Sequence, residues 1–108
     1  MLKVDIEYKK GILFVRLIGK FNKSTINEVD LVDNIIKKAG IKYLLFNFEK
    51  AIINNKKDVY NFINKYNSLI GKEGKLVICG YNPMKLKVNT DDIYLSNREI
   101  YAFNIVNI

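Results

Sequence analysis

Two lysines, Lys56 and Lys57, follow two asparagines, Asn54 and Asn55, just where a helical apolar stripe begins. The first amides of a helix lack partners and its dipole is positive there. An Asn can cap those amides, whereas the lysines sit in an unfavourable field. Free amides and ammonium groups together suit an anion or the acidic surface of a partner; the plainer reading is solvated lysines. Upstream, Asn22, Lys23, Ser24 and Thr25 offer two hydroxyls that a kinase could modify, although helix capping is the simpler use for Thr25. One cysteine and no histidine exclude a disulfide framework and histidine-based metal or triad chemistry. Cys79 lies in an apolar run and reads as a core thiol. Asp5, Glu7, Asp30, Asp33, Glu49 and Asp58 show no convergent motif, and no Gly-rich loop backs the lysines. Neither enzymatic activity, nor a cofactor, nor a metal is expected.

Eighteen Lys and Arg against eleven Asp and Glu give a net charge of +7, which raises the question of nucleic acid. The lysines are scattered in small groups across nearly every loop, and only Arg16 and Arg98 could present a bidentate fork to phosphate or guanine. No nucleic-acid motif accompanies them, so solvated lysines are the expectation. No run approaches the ~18 apolar residues of a membrane span, and Met1 opens directly into a strand pattern. A cytoplasmic protein without membrane insertion is expected, with residues 1–108 forming a single domain.

The elements that must position these residues follow from periodicity. Val4, Ile6 and Tyr8 alternate with charged residues as in a half-buried edge strand; Lys10-Gly11 turns the chain into residues 12–18, apolar on both faces and so interior to a sheet. Residues 19–23 read as a loop. Thr25 and Glu28 have capping-box spacing, and Ile26, Val29, Val32, Ile36 and Ala39 recur at helical spacing up to Gly40. Residues 42–49 form a buried strand. A second helix carries Val59, Phe62, Ile63, Tyr66, Leu69 and Ile70 on one stripe and ends at Gly71, after which residues 75–79 are again a buried strand. Met84 to Val88 read as a helical turn or extended chain, residues 89–92 as a turn, and residues 93–95 as a short strand. Ser96 and Glu99 form a second capping-box pattern before a last helix through Ile100, Phe103 and Ile105. Right-handed crossovers then place the helices on a mixed sheet. Tyr60 lies on the second helix, and Tyr81, after Gly80 at a strand end, is the aromatic expected to be exposed. Phe14 and Ile18 should face a thinly covered side of the sheet, covered by terminal segments or used in self-association as a homodimer.

These motifs, in this order, resemble the STAS domain of bacterial anti-sigma factor antagonists. Gly19-Lys20-Phe21-Asn22 is similar to that family's Gly-x-Leu-Asp, and Ile41 to Phe48 resembles its Ile-x-x-Leu-Val-Leu-Asn-Leu strand. Asn54 to Asp58 lands without a gap on Met-Asp-Ser-Ser-Gly, and Gly74 to Pro83 is similar to Gly-Gly-x-Leu-Val-Leu-x-Gly-x-x-Pro. The resemblance implies an α/β fold with a mixed four- to five-stranded β-sheet and helices packed mainly on one face. It also implies a signalling protein that acts in transcription regulation by binding an anti-sigma factor or similar kinase.

The departures matter as much. The resemblance puts amides, Asn22 and Asn55, where regulated members carry Asp, and Lys57 where they carry the phosphorylated Ser. A lysine neither accepts that phosphate as serine does nor mimics its charge. Asp58 and Tyr60 replace small residues, and the third helix of the family looks shortened after Pro83. The expected function is a non-catalytic protein-interaction module, binding through Asn22, Lys23, Ser24, Asn54, Asn55, Lys56, Lys57, Tyr60 and Tyr81 and not regulated at Lys57. The alternatives are an accessory subunit of a larger transporter or signalling assembly, and a small-ligand or nucleotide sensor.

Overall fold

The computed structural model describes residues 1–71, 73–81, 93–96 and 98–106. The expectations for Asn82 to Asp92, including the shortened third helix, lie outside the described residues. Strand β1 (Leu2–Lys9) pairs antiparallel with β2 (Ile12–Phe21) through the two-residue turn Lys10-Gly11. Both turn residues have positive φ, 51° and 84°, the backbone twist that matches paired strands and that glycine adopts without strain. The other strands, β3 (Tyr43–Ile53), β4 (Lys75–Cys79) and β5 (Ile93–Ser96), are parallel to β2, and the sheet order is β1-β2-β3-β4-β5. This is the expected mixed sheet with β1 at an edge.

Helices α1 (Asp30–Ala39) and α2 (Lys56–Ile70) cover the first face. Val32 and Ile36 of α1 and Val59, Phe62, Ile63 and Tyr66 of α2 meet Leu13, Val15, Leu44, Phe46, Leu76 and Ile78 of the sheet. Phe46 is the hub, with its ring 4.7 Å from Phe62 and 4.8 Å from Tyr66. Fully buried, it would cost about 3–5 kcal/mol on truncation to alanine. The second face, Ile12, Phe14, Leu45, Val77 and Cys79, is covered by Ala102 and Phe103 of the short helix α3 (Ala102–Val106). Phe14 is therefore buried beneath the C-terminal segment, its ring 5.6 Å from Phe103; Ile18 remains half-buried.

Several boundaries differ from expectation. Residues 19–21 continue β2, and β3 runs four residues past Glu49. A bulge lets it: the register passes from Arg16↔Asn47 to Ile18↔Lys50, and the Glu49 amide donates to Asn47 Oδ1 at 2.9 Å. Ala39 is exposed rather than on the buried stripe, while Gly40 ends α1 in the left-handed conformation as expected. Neither capping box forms. A 3-10 turn, Ile26–Val29, precedes α1, and Thr25 makes no side-chain cap. Its hydroxyl instead donates to Lys20 O at 2.7 Å and accepts from the Asn22 amide at 3.1 Å. At the other site a 3-10 turn, Glu99–Tyr101, leads into α3, Ser96 Oγ donates to Arg98 O, and the Glu99 carboxylate is drawn to Arg16.

Candidate functional site

Parallel pairing puts the ends of β2, β3 and β4 on one side of the molecule. The register pair Phe21↔Ile53 delivers Asn22 and Asn54 to adjacent positions at that end. The Asn22 side chain closes its own loop, with Oδ1 accepting from the Ser24 amide at 2.8 Å and the Thr25 amide at 3.2 Å. Asn55 is the N-cap of α2, as expected, and its Oδ1 accepts from the Lys57 amide at 2.9 Å. Both asparagines thus spend their carbonyl oxygens on local backbone. No hydrogen bond or ion pair among the described residues joins the two loops directly.

Lys56 and Lys57 occupy the first turn of α2 and are exposed, as are Lys23, Ser24, Asn54 and Asn55. Asp58 is 5 % exposed at the third position of the helix, where a carboxylate offsets the positive end of the dipole. Tyr60 and Tyr81 are half-buried against the main core. Tyr81 packs its ring against Phe48, centroids 6.0 Å apart, so it is not the exposed aromatic of this chain; Tyr8 and Tyr101 are more open. The close approach is made by Gly80 (φ 79°): a β-carbon there would lie 2.7 Å from the Glu49 nitrogen.

A second polar centre lies on the other face of the sheet. Arg16 donates from Nε and Nη2 to the two oxygens of Glu99, both at 2.8 Å, from Nη1 to Asp5 at 3.0 Å, and from Nη2 to Glu7 at 2.8 Å. Asn47 Nδ2 donates to Glu99 Oε2 at 2.7 Å. Arg16 is thereby held in its charged form, chiefly by Glu99, and the Glu99 carboxyl is held below its usual range, chiefly by Arg16. Of the two forks that could have read phosphate, that of Arg16 is fully used within the fold, while Arg98 is exposed. The carboxylates also converge on cations: Asp5 and Glu7 on Arg16, and Asp30 and Asp33 on Lys65. Asp33 accepts a short hydrogen bond from the Tyr66 hydroxyl, whose ionisation burial pushes far up. A hollow of about 200 Å³ beside Arg16 is lined by Ile18, Asn47, Glu49, Lys50 and Glu99.

Cys79 is buried, and desolvation followed by its hydrogen bond to Glu49 Oε1 at 3.3 Å pushes the thiol up to about 12. At neutral pH it is a protonated core thiol. Among the described residues no group of three or more Cys, Asp or Glu side chains gathers where a metal could bind. Pairing across β1–β2 by strand alternation could have suggested the Asp5–Arg16–Glu7 contacts; nothing local signals that Glu99, 83 residues away, completes them.

No family model matches the sequence. Solved structures do. The chain is similar to an anti-sigma factor antagonist from Mycobacterium paratuberculosis (TM-score 0.80, 13% identity, covering 100% of this chain and 96% of that one). It is similar also to the anti-sigma factor antagonist SpoIIAA in its unphosphorylated form (TM-score 0.71, 15% identity, 99% and 98%) and to a variant of RsbS from Moorella thermoacetica (TM-score 0.70, 13% identity, 98% and 99%). The expected STAS-like fold is the fold of this chain, in a divergent sequence. No helix among the described residues is long and apolar enough to cross a membrane.

Proposed function

We propose that this chain is a non-catalytic protein-interaction module of the anti-sigma-antagonist kind whose binding state is not set by phosphorylation at the start of α2. The observation that carries the reading is Lys57: it sits exposed in the first turn of α2, its amide capped by Asn55, in a fold shared with SpoIIAA. The resemblance puts Lys57 at the position of the family's phosphoacceptor serine. The binding face comprises Asn22, Lys23, Ser24, Asn54, Asn55, Lys56, Lys57, Tyr60 and Tyr81. The partner is an anti-sigma factor, a related kinase or a subunit of a signalling assembly, in a bacterial cytoplasm.

Two measurements test this. Affinity capture from the native cytosol should recover a stoichiometric protein partner, lost on Asn55→Asp/Lys57→Glu; recovery of none at any salt counts against the interaction role. Incubation with an anti-sigma kinase and ATP should leave the intact mass unchanged. A single added phosphate at Ser24, Thr25 or Ser68 would show that the switch had moved along the chain rather than vanished.

A further inference from the structure

The tips of β2 and β3 run past their neighbours. Strand β4 stops at Cys79, opposite Asn47, and β1 reaches only Gly19, whereas the β2–β3 ladder continues through Ile18↔Lys50 and Lys20↔Ile52 to Phe21↔Ile53. On the first face this tip is built into the core by Phe21, Ala51 and Ile53. Strand alternation sends Ile18, Lys20, Lys50 and Ile52 to the second face. Lys3, paired with Ile18, lies beside them. Helix α3 docks at the opposite end of that face, over Ile12, Phe14, Leu45 and Val77. Ile52 is left 55% exposed.

The second face of this tip carries three lysines, Lys3, Lys20 and Lys50. The ion pairs among the described residues centre on Arg16 and Lys65, and Lys3, Lys20 and Lys50 enter none of them. Glu49 precedes Lys50 in the chain but turns its carboxylate to Cys79. An exposed isoleucine set among unpaired ammonium groups has the form of an apolar anchor with a cationic rim.

We propose that the second face of the β2–β3 tip docks a protein segment in which acidic residues flank an apolar side chain. The carboxylates would neutralise Lys3, Lys20 and Lys50, and the apolar side chain would cover Ile52 and Ile18. A nucleic-acid backbone supplies the charge but not the apolar cover, and Arg16, whose fork would suit phosphate, is consumed. Two isoleucines are too small an apolar area to hold a bilayer surface. The inference rests on the protein-interaction reading, because the tip leads directly into the Asn22 and Asn54 loops, and it specifies the chemistry of the partner.

The test is an NMR titration of the full chain with an end-blocked peptide of alternating Glu and Leu. Parallel titrations use the same peptide with Lys for Glu, oligothymidine and phosphatidylglycerol vesicles. Saturable shifts at Ile18, Lys20, Lys50 and Ile52 are expected from the acidic peptide alone. Lys20→Glu/Lys50→Glu should weaken it about tenfold or more, while Lys37→Glu/Lys38→Glu, the same charge change at the end of α1, stays within about twofold. Absence of saturable shifts at the tip, equal loss in both variants, or tighter binding of oligothymidine or vesicles there overturns the proposal. A captured partner indifferent to Lys20→Glu/Lys50→Glu but lost on Asn55→Asp/Lys57→Glu would overturn the docking surface and leave the interaction role standing. Saturable peptide binding without a captured partner would do the reverse.

Discussion

Arg16 holds Glu99 with both arms of its guanidinium, Nε to Oε2 and Nη2 to Oε1, each at 2.8 Å across 83 residues of sequence. This pair fastens the C-terminal segment to the second face of the sheet. Helix α3 spans only five residues and cannot persist alone, so its docking depends on this pair and on Ala102 and Phe103.

Arg16→Gln should therefore loosen residues 99–106 and leave Glu99 facing Asp5 and Glu7 without a cation. Its half-exposed contacts with Asp5 and Glu7 are each worth at most about 1 kcal/mol, and the Glu99 contact carries most of an expected loss of about 1–3 kcal/mol. Amide exchange should rise in residues 99–106 before the β2–β3 ladder is affected. Simultaneous exchange of both regions would show that the segment is not separately held.

Acid should weaken the same latch. Glu99 has a folded pKa below its ordinary value, because Arg16 and Asn47 bond its charged form. Its contribution is complete above the unfolded value, about 4.3, and is lost as pH falls through the lower folded value. Urea midpoints measured from pH 6 to pH 3 should fall for the native chain, and Glu99→Gln should flatten part of that fall.

The buried thiol predicts the opposite limb. Cys79, pushed up to about 12, stays protonated in the fold while the unfolded thiol ionises near about 8.5. Stability from this group is complete below the unfolded value and is lost as pH rises between the two. A thiol reagent at pH 8 should label the native chain no faster than it unfolds; immediate labelling would mean that Cys79 is accessible.

Gly80→Ala should destabilise the β4 end by about 1–3 kcal/mol, since it combines a positive φ with a β-carbon pressed against the Glu49 backbone. Thermal unfolding measures the loss. The Tyr81 ring should move from Phe48 in the same variant, seen as a change in the Tyr81 ring resonances.

The alternation in β1, the apolar runs of the interior strands, the stripes of α1 and α2, the Lys10-Gly11 turn, Gly40 and the Asn55 cap were all legible in the sequence. Each depends on a period or on neighbours within a few residues, and together they specified the order of elements; the STAS-like fold was implied by the resemblance of the motifs in that order. Local rules went wrong where another partner competed, close by for Thr25 and far along the chain for Glu99. Thr25 and Glu99 have capping spacing, yet the Thr25 hydroxyl turns back to Lys20 and Asn22, and Glu99 goes to Arg16. The bulge at Asn47, the Tyr81–Phe48 contact and the exposed tip carrying Lys20 and Ile52 depend on which strands lie side by side and where each one stops. A charged pair brought together at 2.8 Å outweighs a solvated local cap, and only the closed tertiary structure brings those charges together.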